Sequence, residues 1–129
     1  MIKCVCLVVE SDDKLLLVQA RNRNKYYFPG GKIDSGESLK QALRRELQLD
    51  ISEETFTYMG KVVGDAYPQK DKKTELNCFS TSFEIDWSSV KPAQEITDIK
   101  WMKKDETEKI APAVLTWIEY AKEAQYLKW

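Results

Sequence analysis

The sequence predicts one α/β domain of the α+β type, a mixed β-sheet sandwiched between helices. Three observations predict it. The 129 residues match the size of one domain and suffice for a core without metal or disulfide staples. Short β-rich runs alternate with two helical-period segments in the order strands, helix, strands, helix, the pattern of helices laid on a sheet. No repeat, linker or low-complexity tract divides the chain, so residues 1–129 read as a single unit.

Taken in order, residues 2–9 are β-rich and end at the turn signal Glu10-Ser11-Asp12-Asp13. Lys14–Ala20 reads as the second strand of a hairpin with residues 2–9. Arg21–Lys25 is a polar loop leading to Tyr26-Tyr27-Phe28-Pro29-Gly30-Gly31-Lys32-Ile33. Leu39, Ala42, Leu43 and Leu47 then recur at helical spacing, with Ser35 or Ser38 as N-cap. Phe56–Val63 and Leu76–Ile85 read as strands, and Pro92–Asp98 as a loop entering a strand at Ile99–Met102. The run Gln69–Lys73 reads as a solvated hairpin loop. In the tail, Ala111–Leu127, the residues Val114, Leu115, Ile118, Ala121 and Ala124 share one side of an amphipathic helix whose first turn suits Pro112. Trp101 and Trp117 fit core positions, while Trp129 is uninformative.

Composition narrows the function classes. The chain is 43% hydrophobic and 32% charged, with 20 basic and 21 acidic residues and a net charge of −1. That is a soluble balance with no nucleic-acid or membrane-binding surface charge. The N-terminal segment is too short to span a membrane and lacks a signal-peptide layout. Three cysteines, Cys4, Cys6 and Cys78, read as buried thiols of a reducing compartment, and the expected location is cytoplasmic. With no histidine, serine–histidine and cysteine–histidine nucleophile schemes are excluded. Acid–base chemistry falls to carboxylates, Lys, Tyr or metal-bound water.

The chemistry concentrates between residues 28 and 46. The Gly30-Gly31 pair admits close backbone approach to a ligand. Gly31 is followed after five residues by Glu37, and seven residues later by Arg45-Glu46-Leu47. Two glycines, two acids, an arginine and an apolar residue at these offsets resemble the first half of the Nudix box, and Phe28-Pro29-Gly30-Gly31-Lys32 resembles the preceding segment of MutT-like members. The resemblance implies the Nudix fold along nearly the whole chain. It also implies a nucleotide-type small-molecule substrate, and Mg²⁺ or Mn²⁺ held by helix carboxylates that offsets phosphate charge. Carried over by position, Glu37 and Arg45 pair to hold the helix and Gly31 shapes the loop. Glu46 is the metal ligand or base, and Phe28, Gly30, Gly31 and Lys32 face the substrate. A base stacks on an aromatic of the 26–28 run, with Tyr27 rather than Phe28 as its buried member. Glu95, six residues before Trp101, stands where MutT-like members place an extra acid that joins the metal or acts as base. MutT-like readers of oxidised guanine use an Asn where Val114 or a neighbour stands here, so that specificity is not expected. A homodimer is a family expectation.

The second half of the box departs from the pattern. Without a gap, Leu49 and Asp50 replace the two expected glutamates and Ser52 the expected glycine. Asp50, four residues after Glu46, would then share its helix face and its metal. Alternatively about one helical turn, ~3.6 residues, is missing, and Asp50 belongs to the following loop. Glu53 and Glu54 read as solvated loop acids. Three functions remain: a Mg²⁺-dependent pyrophosphohydrolase with weakened activity, a non-catalytic module binding a nucleotide or a protein, and an altered product that still folds.

Overall fold

The computed structural model describes residues 1–20, 24–67, 71–87 and 96–129. These residues form two sheets and two α-helices. Strands β1 (Ile2–Leu7), β4 (Gly30–Lys32), β5 (Phe56–Asp65) and β6 (Lys73–Thr81) make a mixed sheet in the order β4-β1-β6-β5, with β1 and β6 parallel. Strands β2 (Glu10–Ser11), β3 (Lys14–Ala20) and β7 (Ile96–Met102) make an antiparallel sheet in the order β2-β3-β7. Helix α1 (Leu39–Leu47) lies on one face of the mixed sheet and α2 (Pro112–Glu123) on the other. The expected sandwich of a mixed sheet between helices is therefore the observed architecture.

Alternation along β1 builds both faces, since successive strand side chains point to opposite sides. Val5 and Leu7 join Ala42 and Leu43 of α1, Ile51, Phe56 and Phe79 in one core. Cys6 joins Leu76, Cys78, Trp117, Ile118 and the second sheet's Leu15, Leu17 and Met102 in the other. The three cysteines are free thiols, with Cys6 and Cys78 fully buried and register-matched across β1 and β6.

The expected hairpin between residues 2–9 and 14–20 is corrected. The chain changes sheets at Val8–Val9: Val8 N–H donates to Phe79 O at 2.8 Å, whereas Val9 O accepts from Leu16 N–H at 3.0 Å. Only Glu10–Ser11 pairs with β3, around a turn in which Asp12 and Asp13 take φ of 52° and 61°. Two positive φ values match the twist of a tight hairpin. A segment continuously apolar from Ile2 to Val9 gives no local mark of that change of partner.

Helix α1 begins at Ser38, whose hydroxyl accepts from Gln41 N–H while the Gln41 side chain accepts from Ser38 N–H. This reciprocal capping satisfies two donors that a helix start otherwise leaves open, and decides between Ser35 and Ser38. Helix α2 spans twelve residues rather than the expected 111–127, with Pro112 in its first turn. Its buried side is Ala113, Val114, Trp117, Ile118 and Ala121, and Ala124 is exposed at the C-cap. The strand expected at 76–85 runs instead from Lys73 to Thr81. Among the described residues no helix is long and apolar enough to cross a membrane.

Candidate functional site

The site forms where β4 and the loop after it meet α1. Gly30 and Gly31 pair with Cys6 and Val5 of β1. At Gly30 φ is 148°, and an added Cβ would lie 2.1 Å from Val5 O, so only glycine keeps the two strands this close. At Gly31 an added Cβ would lie 2.4 Å from the Glu46 carboxylate. The missing side chain is what lets the Glu46 carboxylate reach the strand backbone.

The loop after β4 is held by a turn and an arginine. Glu37 N–H donates to Asp34 O at 3.2 Å, and Gly36 supplies the positive φ, 84°, that such a turn requires. Asp34 N–H in turn donates to Glu37 Oε1 at 2.9 Å. Arg45 then grips Glu37 through two donors, at 2.8 and 2.9 Å. It also donates to Lys32 O at 3.0 Å and to Glu46 Oε1 at 2.8 Å, and lies 3.5 Å from Asp34. One planar guanidinium thereby ties strand end, turn and helix together, which a lysine's point charge does not reproduce. Hydrogen bonding to Arg45 and to Asp34 N–H holds the Glu37 carboxyl below its ordinary range. The same contacts with Glu37 and Glu46 raise the Arg45 pKa further. The predicted pairing of Glu37 with Arg45 is thus found. The part of Asp34 was missed, although the spacing Asp34-x-x-Glu37 around a Gly carries the signal of a turn.

Beyond Arg45, Glu46 leaves the second half of the motif incomplete. Helix α1 ends at Leu47, and Gln48 takes φ 53° in the left-handed region. Leu49 packs against the α1-side core and Ile51 is buried beneath it. Asp50 sits at a tight turn closed by Ile51 N–H to Leu49 O at 2.9 Å, points into solvent and contacts Arg44 at 3.4 Å. The gapless arrangement, with Asp50 on the helix face of Glu46, is therefore corrected. Helix α1 stops before Asp50, and Leu49 and Ile51 turn toward the α1-side core. Glu53 and Glu54 lie in a short 3₁₀ turn, Glu53–Thr55, away from α1.

Phe28 is corrected too. Its ring is 5% exposed and packs edge-on against Trp117 with centroids 5.6 Å apart, so it belongs to the core and offers no face to a base. Tyr27 is half-buried, its hydroxyl 3.3 Å from Tyr67 O. The expectation that Tyr27 is the buried member is reversed. Val114 is also core, at 2% exposed. Lys32 is exposed beside Cys4 in register. Burial first, with the nearby Cys6, pushes the Cys4 thiol up to about 11, so it stands as a neutral thiol at physiological pH and not as a nucleophile. Glu95 lies outside the described residues. Among the described residues no group of three or more Cys, Asp or Glu is arranged to hold a metal ion.

The arginine-locked loop, the glycine pair and the start of helix α1 carry a family signature. The family model described as NUDIX domain matches residues 2–121. The chain belongs to the Nudix family. A 52-residue stretch is 42% identical to an uncharacterized Nudix hydrolase, YvcI, of Bacillus subtilis (strain 168), covering 40% of this chain and 30% of that protein. The matched stretch thus spans under a third of the relative's length. Among solved structures, a MutT protein from Methanosarcina mazei Go1 superposes with a TM-score of 0.74 at 20% identity, covering 96% of this chain and 94% of that one. A bifunctional NMN adenylyltransferase/ADP ribose pyrophosphatase from Francisella tularensis, complexed with AMP and a Mn ion, gives 0.67 at 22% identity over 95% of this chain and 41% of that one. At these identities the structures establish the shared fold.

Proposed function

We propose that this Nudix chain hydrolyses the pyrophosphate linkage of a nucleoside triphosphate or another nucleoside diphosphate derivative, through a metal centre weaker than the family norm. In that reaction a water oxygen attacks a phosphorus, a phosphoanhydride bond breaks, and two phosphorylated products leave. The observation that carries the reading is the Glu46 carboxylate seated against Gly31 and oriented by Arg45. In this reading Glu46 would be the protein carboxylate on a Mg²⁺ or Mn²⁺ held largely by substrate phosphates, with Glu95 as a second acid joining it. Mg²⁺ commonly uses one or two carboxylates in phosphate sites. When bound, the ion supplies positive charge against the phosphate oxygens. Lys32 adds a cation at the strand end, and Gly30 and Gly31 let phosphate approach the backbone. The substrate class of the Francisella tularensis structure, an ADP ribose pyrophosphatase bound to AMP with Mn, supports a nucleotide ligand here. The cell compartment proposed is the cytoplasm.

A second reading, a catalytically impaired module that binds a nucleotide or protein partner, is favoured by one observation. Asp50 is turned away on Arg44 and helix α1 stops at Leu47.

Titration with Mg²⁺ and Mn²⁺ against nucleoside triphosphates, nucleotide sugars and dinucleoside polyphosphates, following released phosphate and pyrophosphate, separates the two. The first reading expects metal-dependent cleavage of a subset, falling on the order of 100-fold in Glu46→Gln. Thermal stabilisation by a nucleotide without cleavage supports the second. Cleavage unchanged in Glu46→Gln removes the assignment of Glu46.

A further inference from the structure

The C-terminal end of the two parallel central strands carries a cavity. Strands β1 and β6 are parallel, so their C-terminal ends lie together. The chain leaving β1 (Val8–Ser11), the end of β6 at Ser80 and Thr81, Trp101 of β7 and the tail at Tyr126 and Leu127 surround about 640 Å³. That volume lies in the range of small-molecule sites, roughly 300–1,000 Å³. No described residue of the Gly31–Glu46 site lines it.

Two features of the lining point to one chemistry. Phe83, Trp87, Trp101 and Tyr126 all face this space, and Phe83, Trp101 and Tyr126 belong to neither core cluster. Three of the six large hydrophobic side chains that the described surface leaves exposed converge here, Phe83 at 48%, Trp101 at 36% and Tyr126 at 46%. Gathering exposed aromatics at one opening forgoes burial energy. The charged groups among the described lining residues are two carboxylates, Glu10 and Glu84, with no Lys or Arg. Glu10 is held in place by accepting the Lys128 N–H, at 3.0 and 3.3 Å.

We propose that this cavity binds a small organic cation, an alkylammonium or methylated ammonium group. Aromatic faces present negative potential and attract cations that shed water easily. The two carboxylates add charge of matching sign and disfavour a phosphate-bearing ligand. A neutral apolar ligand has no use for the carboxylates, and a strongly hydrated inorganic cation has none for the rings. Trp101 is the anchoring ring and Glu84 the charge partner. Among the described residues its lining shares none with the hydrolase centre, so the proposal does not rest on that reading.

The test titrates the intact chain with tetramethylammonium and choline, following tryptophan fluorescence and heat. Controls are 3,3-dimethylbutanol, the neutral isostere of choline, and ATP. The expected result is saturable binding of both cations, weakened at least about tenfold for the isostere and in Trp101→Leu, with ATP not competing. Glu84→Gln, a change at an exposed side chain, is expected to weaken cation binding and leave the melting temperature unchanged, which keeps the test intact should Trp101→Leu misfold. Equal binding of the isostere overturns the proposal in favour of a purely apolar pocket. Competition by ATP overturns it in favour of a nucleotide subsite, and absence of saturable cation binding overturns it outright.

Discussion

At the scale of single residues, the two adjacent glycines do different work. A Cβ at Gly30 meets the Val5 backbone, whereas a Cβ at Gly31 meets first the end of the Glu46 side chain. Gly30→Ala is therefore expected to lower stability by about 1–3 kcal/mol through strain and strand separation. Gly31→Ala should keep nearly the wild-type melting temperature while displacing the Glu46 carboxylate, so that metal-dependent turnover falls. Parallel melting and activity assays check the pair, and equal thermal losses in both variants would contradict the division of roles. Glu37 gives a pH signature. Its carboxyl is held below the ordinary value of 4.5 by Arg45, so ionisation favours the folded state. That contribution is complete above the ordinary carboxylate range and is lost as pH falls through the depressed folded-state value. The melting-temperature gap between wild type and Glu37→Gln should be constant from neutral to mildly acidic pH and close below about pH 4. A gap that widens in acid would reverse the assignment.

At the scale of elements, helix α1 explains why half of the site motif was readable and half was not. Gly31, Glu37, Arg45 and Glu46 stand at spacings set by a turn and a helix, which local sequence encodes, and the structure brings all four together. Where the helix stops is a tertiary matter. Leu49 and Ile51 are drawn to the core under β1 and β6, which forces the chain through left-handed Gln48 and leaves Asp50 outside. Leu49→Glu tests this. With Leu49 packed against the core, the change should cost about 1–3 kcal/mol without raising Mn²⁺ affinity, measured by denaturation and by metal titration. A rise in affinity at unchanged stability would restore the gapless alignment. Glu95, outside the described residues, remains part of the proposed site on its position in sequence alone.

At the scale of the whole molecule, α2 clamps the two sheets through Trp117, which is fully buried, packs edge-on against Phe28 and lies near Tyr120. Gly60 and Gly64 of β5 let α2 settle close, since a Cβ at either would strike Tyr120 or Ala113. Phe28→Ala should accordingly cost about 3–5 kcal/mol, with denaturant unfolding as the measure. A loss of nucleotide affinity without a loss of stability would return Phe28 to the binding surface. The tail closes the same assembly. Trp129 is 5% exposed with its indole N–H 3.3 Å from Met102 O, although its position in sequence carried no signal. Trp101, expected in the core, is instead 36% exposed and lines the cavity at the ends of β1 and β6.

Read from residues in order, the chain specified its fold class, both helices with a serine cap at Ser35 or Ser38, and the loop-to-helix half of the site, because each depends on periodicity, turn chemistry or fixed short spacing. Only the tertiary structure decided which strands pair, that the run from Ile2 to Ser11 serves two sheets, that Phe28 and Trp129 are core while Trp101 is not, and that α1 ends at Leu47. Those outcomes rest on which partner a side chain or backbone group meets from far along the chain. Competition for burial between distant segments leaves no periodic trace in any one of them.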